Sequence, residues 1–433
     1  MALLARSPAY SRVTAIAGQR PVHEAFRWLH LHTRQMLATQ AELAAIPAPP
    51  FGEEARSAWM VERFHEAGLD SVSTDAIGNV FAVLPAADGA GLEDRDYDGP
   101  VVLLSAHLDT VFPAGTPLEP VIGEDRLEGP GVCDNAAGVV GMLAVARAIH
   151  EAQIPLPATL VVCGNVGEEG EGDLRGVRHL YRHAAFAGRI VAHVVLDGAG
   201  TETAVTQALG SRRYQVTVNG PGGHSFTEAG TPNPIVALAL ALGDLSHVPL
   251  QNDAEPGRTT MNVGTIAGGT SVNSVPESAT ASVEFRSTAV EQLVRLEVAL
   301  HRAVEDAVEN ANANANAAAN GAAAGNGKTL RGLSFAIEKI GDRPVGELKT
   351  DSPLLENLRA VDRHLGLRTD LRLGSTDANL PLSLGIPAVS LGAGGDGGGA
   401  HTRAEWYSAA NRGLGLRRIL LLTLTMLSWA TEQ

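Results

Sequence analysis

At 433 residues the chain exceeds what one ordinary core supports, so two domains are the natural prior. Hydrophobic residues at 45% and charged residues at 19% are those of a soluble globular chain, and a net charge of −15 argues against nucleic acid or an anionic membrane as partner. The two cysteines, Cys133 and Cys163, sit in apolar segments and imply buried thiols, not a disulfide framework.

The opening MALLARSPAYSR holds a four-residue apolar run before Arg6, which is shorter than a signal peptide needs, so cytoplasmic residence is the default expectation. Helical spacing runs from His23 to Ala45 and from Glu53 to Ala67, separated by the Pro47–Pro50 turn. Ser73 to Leu84 and Val101 to Leu108 read as strands, and the small-residue run after Asp134, NAAGVVGMLAVARAIH, reads as a helix packed tightly on a sheet. Thr159 to Val166 and Ile190 to Leu196 are β-branched apolar runs. Strand alternating with helix predicts an α/β domain with a parallel or mixed sheet, whose ligands collect beyond the carboxyl ends of the strands.

Near Leu209 the pattern changes. Arg212 to Val218 alternates as a half-buried strand does. Pro234 to Leu245 is helical, Thr259 to Ile266 and Ala279 to Arg286 are strands, Val290 to Val308 is a longer amphipathic helix, and Leu333 to Ile340 is a strand. These make a small ferredoxin-like α+β unit. Between its last helix and strand, Asn310 to Lys328 carries no apolar residue larger than Ala and reads as a mobile loop whose start frays from the preceding helix. From Ser352 the α/β pattern returns, with a helix over Leu354 to Leu365, a strand within Gly385 to Leu391 and a helix from Ala404 onward. The expected organisation is a first part at 1–208, an insert at 209–346 and a second part at 347–433. Ile419 to Ala430, the longest apolar stretch, is too short to span a bilayer and reads as a packed terminal helix.

Five stretches carry candidate chemistry. In VVLLSAHLDT, His107 and Asp109 stand at the end of an apolar strand, two residues apart and on the same side, so Asp109 can reach the imidazole. A metal-bound imidazole usually gives its other N–H to such a partner, although a plain hydrogen-bonded couple has the same pattern. In GPGVCDNAAG, Asp134 is either a helix N-cap or a ligand. In CGNVGEEGEGDLRG, Glu168 and Glu169 are adjacent carboxylates that repel unless a cation or a proton separates them, or else they form a solvated acidic loop. Asp197 ends the apolar strand of VVLDGAG with neither Lys nor Arg beside it. His401 follows a glycine run that lacks the Lys-Ser/Thr of a phosphate loop, and whose glycines let the backbone pass close to a site. Two histidines and three carboxylates fit a pair of zinc ions with one carboxylate bridging, and the carboxylate left over is what a general base requires.

Taken in order, SAHLDT, GVCDNAAG, GEEGEGDLRG, LDG and GGGAHT resemble the di-zinc amidohydrolase and exopeptidase superfamily that includes aminoacylase-1, acetylornithine deacetylase, succinyl-diaminopimelate desuccinylase and peptidase T. The stretch STDANLPLSLGIPAVSLGAGGDGGGAHTRAEW looks closest to the peptidase T-like branch. The resemblance implies a mixed-sheet, phosphorylase/hydrolase-like catalytic domain with an inserted lid that builds a homodimer. It implies two Zn2+ per subunit, replaceable by Co2+ or Mn2+. His107 and Asp197 would hold one ion, Glu169 and His401 the other, and Asp134 would bridge. Glu168 would be the base and Asp109 the residue orienting His107. In the lid, His224 would stabilise the oxyanion and Asn273 and Arg286 would meet substrate, Arg286 by gripping a carboxylate bidentately unless it is a surface ion pair. Gly374 and Ser375 would border the substrate.

The expected activity is hydrolysis of small peptides by an aminopeptidase-like di- or tripeptide exopeptidase. The alternative is an N-acyl-amino-acid deacylase, and the remote one a non-catalytic metal- or ligand-binding relative.

Overall fold

A computed structural model describes residues 7–87, 99–250, 257–322 and 332–432, and the opening Met1 to Arg6 lies outside the described residues. The chain divides into one unit of Met1–Ala208 with Gly346–Gln433 and another of Leu209–Val345. The first unit is built on a mixed sheet of nine strands. At its centre Val101–His107 lies parallel to both Thr159–Asn165 and Ile190–Leu196, and Ala388–Leu391 extends the parallel set beyond Ile190–Leu196. Val80–Leu84 is antiparallel on one flank, and Thr203–Ala208 on the other takes Gly346–Glu347 and Asp370–Gly374.

Every residue of Val101–His107 is buried. Its even positions, Val102, Leu104 and Ala106, belong to the large core, while Val101 and Leu103 pack with Val161, Phe186 and Ile190 on the opposite face. A strand covered on both faces must be apolar throughout, which is why VVLLSA reads as one run. Register aligns His107 with Asn165, so the turns after neighbouring strands open at one edge of the sheet.

Several elements differ from expectation. His23 to Ala45 is two helices, Arg20–Leu31 and Thr33–Ala44, broken at His32 where ψ is 10°. Ser73 to Leu84 is a hairpin whose turn is held by Asp75 accepting the N–H of Ile77 and Asn79 at 3.0 Å each. The last helix starts at Arg412, not near Ala404, because Trp406–Ser408 is captured as a strand by Asp396–Gly398 and Arg126–Glu128. That helix, Arg412–Ala430, is long and apolar enough to cross a membrane by length and composition, yet 72% of its apolar window is buried inside the protein.

The second unit is a four-stranded antiparallel sheet in the order Thr259–Gly268, Ser278–Ser287, Gly210–Asn219, Ser334–Arg343. Helices Pro234–Ser246 and Val290–Ala322 bury Leu238, Leu245, Leu296, Leu300 and Val304 against Val216, Val218, Val283 and Phe285. The mobile loop expected from Asn310 is instead helix as far as Ala322, and its remainder to Lys328 lies outside the described residues. Alanine is the best helix former, so an apolar stripe is not needed to continue a helix already nucleated on a core. Ala311 packs toward that core, Ala315 is buried, and Asn312 accepts the N–H of Leu333 at 2.7 Å while donating to its carbonyl at 3.1 Å. Replacing Asn312 with Ala strands both main-chain groups and should destabilise this unit by about 1–3 kcal/mol, read as a lower denaturant midpoint with unchanged slope.

Candidate metal centre

His107, Glu169 and Asp197 arise at or just beyond the ends of central strands, and Asp134 and His401 come from turns outside that sheet. His107 closes its strand and is 1% exposed. Its Nδ1 lies 3.1 Å from the main-chain carbonyl of Asp109 and 3.6 Å from the Asp109 carboxylate, which leaves Nε2 facing the acids. The Asp109 carboxylate also binds main chain, since its oxygens accept the N–H of Glu168 at 2.9 Å and of Glu169 at 2.7 Å. The Asp109 carboxylate thus shapes the Glu168–Glu169 turn, while the hydrogen-bond partner of the imidazole is the main-chain carbonyl of the same residue. Both glutamates are buried, at 4% and 7% exposure, so they are no solvated loop.

Asp134 does not cap the following helix. Asn135 does, accepting the N–H of Gly138 at 3.1 Å, and the same side chain accepts from Gly198 and donates to the carbonyl of Leu196. The turn that presents Asp134 is thereby stitched to the turn that presents Asp197. Buried Glu405 takes the N–H groups of Gly131, Cys133 and Asp134 at 2.7–3.1 Å and completes the cradle. The glycine run before His401 forms the strand Asp396–Gly398, where a Cβ on Gly397 would come 2.5 Å from the sulfur of Cys133.

The carboxylate of Asp134 lies between two histidines. Oδ1 is 3.1 Å from His107 Nε2, and Oδ2 is 3.1 Å from His401 Nε2. Beside His107 stands Asp197, 3.9 Å from the same Nε2; beside His401 stands Glu169, 3.0 Å from its Nε2. Ligand atoms of His107, Asp134 and Glu169 all lie within 4.8 Å of one another. Oδ1 of Asp134 is buried without an aligned hydrogen-bond donor, a cost a bound cation removes. Imidazole nitrogen and carboxylate oxygen are zinc's donors, so the residues present fit two divalent ions.

The electrostatics agree. Burial pushes the Asp134 carboxyl up, but His107 and His401 outweigh it and the net shift is down. Burial likewise presses His107 down, and Asp109, Asp134 and Asp197 reverse this to a pKa well above the ordinary value. Hydrogen bonds to Asp134 and Glu169 raise His401 to about 10. Without metal, these acids favour the protonated form of both imidazoles.

Gly374 ends the strand Asp370–Gly374 and leads into Ser375. Beyond them Asp377, fully buried, accepts from Asn165 Nδ2 at 2.7 Å, and burial pushes its carboxyl up to about 6. This pair ties the 374–379 turn to the strand beside His107. Sequence reasoning passes over Asn135, Asn165, Asp377 and Glu405 as functional residues; the signal for Asp377 is its place in GSTDAN, two residues after Ser375.

In the second unit His224 is exposed, paired through the backbone with Ser274. Its Nδ1 accepts the N–H of Phe226 at 3.2 Å and of Thr227 at 3.4 Å. A neutral ring therefore carries its proton on Nε2. Asn273 adjoins it, its carbonyl accepting from Ser225 at 3.0 Å. Arg286 grips the Glu284 carboxylate at 2.9 and 3.0 Å, an acid that also takes Arg213, so a substrate carboxylate would have to displace Glu284.

Residues 103–423 match the model of peptidase family M20/M25/M40. A probable carboxypeptidase of Neosartorya fischeri is 29% identical over 235 residues, 51% of this chain and 52% of that protein, and one of Aspergillus clavatus is 29% identical over 257 residues, 55% of each. The chain thus spans about half the length of these curated relatives. A tripeptidase of Staphylococcus aureus superposes with a TM-score of 0.69 at 21% identity, covering 92% of this chain and 99% of that one. Aminopeptidase PepT of Bacillus cereus gives 0.67 at 20%, covering 91% and 98%. A dinuclear metal-binding peptidase of the M20 family from Bacillus subtilis gives 0.60 at 14%, covering 92% and 99%. The mixed α/β fold with its inserted unit is the fold of these structures.

Because metal ligation needs neutral imidazole, zinc added to chelator-treated protein at neutral pH should expel protons, and its affinity should fall with falling pH. Calorimetry in buffers of differing ionisation heat reads this release. In the metal-free protein the raised His401 pKa stabilises the fold fully below about pH 6.5, and that contribution should fade as pH rises through about 10.

Proposed function

We propose, for a chain that belongs to peptidase family M20/M25/M40, that it is a metal-dependent exopeptidase of di- and tripeptides. The observation that carries this reading is the Asp134 carboxylate divided between two His–carboxylate pairs. His107 and Asp197 would hold one divalent cation, Glu169 and His401 a second, and Asp134 would bridge them. Zinc suits the donors, with Co2+ or Mn2+ as substitutes. When bound, the pair supplies Lewis acidity that activates a water and polarises the scissile carbonyl.

The remaining steps belong to side chains. Asp109 keeps His107 oriented and holds the turn that presents Glu168. Glu168, buried and next to a proposed ligand, takes the proton of the attacking water and delivers it to the leaving amine. His224, with its proton on Nε2, donates to the oxyanion, a contact worth about 3 kcal/mol in comparable sites. Gly374, Ser375 and Asn273 border the substrate. The tripeptidase and aminopeptidase likeness favours short peptides with a free amino end over N-acyl amino acids.

The second unit would also build a homodimer. Its edge strand Thr259–Gly268 is paired on one side by Ser278–Ser287, and helix Pro234–Ser246 exposes Val236 and Leu240 at 54% and 59%. Light scattering should return twice the chain mass; a monomer at working concentration would count against it.

Glu168→Gln should keep both metal ions, by elemental analysis, and lose about 10²–10⁴-fold in kcat. Full activity in that variant would remove the base. A panel of di- and tripeptides against N-acetyl and N-succinyl amino acids should show faster cleavage of the peptides. The opposite order would make the enzyme a deacylase.

A further inference from the structure

The Glu168–Glu169 turn is gripped on one side by Asp109, and a second grip comes from residues outside the proposed ligand set. The turn enters through Gly167, whose φ is +66°. Arg175, at the start of helix Arg175–His183, lies directly against it: its N–H donates to the Gly167 carbonyl at 3.1 Å. A Cβ on Gly167 would come 2.4 Å from Arg175 Cγ and 2.6 Å from its Nε, so the arginine stem occupies the space a side chain would take.

The guanidinium is fixed in three directions. One terminal nitrogen donates to Glu53 Oε2 at 2.6 Å, the other donates to the Ile77 carbonyl at 3.2 Å, and the group lies 4.9 Å from the centre of the Phe51 ring. Glu53 is 2% exposed, a poor place for a carboxylate unless it is paired, and burial raises its pKa despite Arg175. Phe51 sits at φ +69°, a conformation that a bulky residue adopts only when its surroundings hold it there. With Ser57, Thr74 and Ile77 these residues line a cavity of about 420 Å³ beside the turn.

A buried ion pair adds little net stability compared with apolar residues of the same volume, so packing alone does not call for this one. A planar guanidinium with donors in a rigid fork fixes a backbone segment in a way that no apolar pair can. We propose that Arg175, held by Glu53, is a positioning residue for the Glu168 turn and sets the direction from which that carboxylate meets the reacting water. This rests on the reading of Glu168 as the proton-transferring group.

The test uses the full zinc-loaded chain and whichever peptide of the panel it cleaves fastest. Arg175→Met keeps the stem and removes the fork; Arg175→Lys keeps a cation that can reach Glu53 but cannot also serve Ile77. Arg175→Met should lose about tenfold to a hundredfold in kcat with KM within twofold and metal content unchanged, and Arg175→Lys should recover part of it. Added to Glu168→Gln, Arg175→Met should cost nothing further, because it acts through that side chain. If Arg175→Met does not fold, Glu53→Gln, which keeps the shape and loses the charge, should show the same kcat loss in smaller measure.

Unchanged kcat in these variants overturns the proposal, as does a loss that tracks metal content or KM, or one that multiplies with the Glu168→Gln loss. Full activity in Glu168→Gln alone would instead overturn the base assignment, and this proposal with it.

Discussion

The structure depends on one electrostatic constraint: the carboxylates of Asp109, Asp134, Glu169 and Asp197 converge around His107 and His401. Carboxylates this close and this buried cannot all ionise without cations. The raised histidine pKa values express that demand in protons, and two divalent ions would meet it more fully, because each replaces a single positive charge with two. The same constraint explains why the turns that present the acids are so heavily bonded. A loose loop would splay the charges apart; here amides of Glu168, Glu169, Gly131, Cys133 and Asp134 point inward at Asp109 and Glu405, so main-chain dipoles help to hold them.

The parallel sheet makes this convergence possible. Three neighbouring strands end together, and each delivers its acid or histidine within a few residues of its last pairing. His107 ends one strand, Glu168 and Glu169 follow Asn165, and Asp197 follows Leu196 while its N–H is held by Leu391 of the next strand. Ligands far apart in sequence thus share one neighbourhood by topology, with little demand on any long side chain. The glycines then act locally. Gly397 passes close to Cys133, and Gly167 makes room for Arg175.

Much of this is legible in the sequence because it follows from periodicity. Apolar runs locate the central strands, and the change of pattern near Leu209 marks the second unit, which begins at that residue. The proposed ligand residues stand out because each interrupts a pattern: a His or acid at the end of an apolar strand, an acid in a glycine-rich turn, or a His after a glycine run. The misreadings have a common physical origin. Asn310 to Ala322 carries no apolar stripe, but the helix is already nucleated on the core by Leu293, Leu296 and Leu300, and alanines need only continue it. Trp406–Ser408 is strand because partners distant in sequence pair with it, and no local propensity announces that.

The residues that sequence reasoning passes over form a class. Asn135, Asn165, Asp377 and Glu405 are polar, buried and bonded to backbone or to one another, and none would touch substrate in the proposed reaction. A metal ligand here must be His or an acid, and the proposed ones sit at a strand end or beside glycines, so type and place are both constrained from the sequence. A supporting residue need only reach an amide or a side chain already in place, and Asn, Asp and Glu all qualify at many positions. Asn135 illustrates the point. As an N-cap it is indistinguishable in sequence from its neighbour Asp134, and only the packed structure shows that the asparagine takes the helix N–H while the aspartate remains for the centre. Which of two adjacent capping residues is spent on the helix and which on the site is decided by the partners they meet, Gly138, Gly198 and Leu196 for the one and the two histidines for the other.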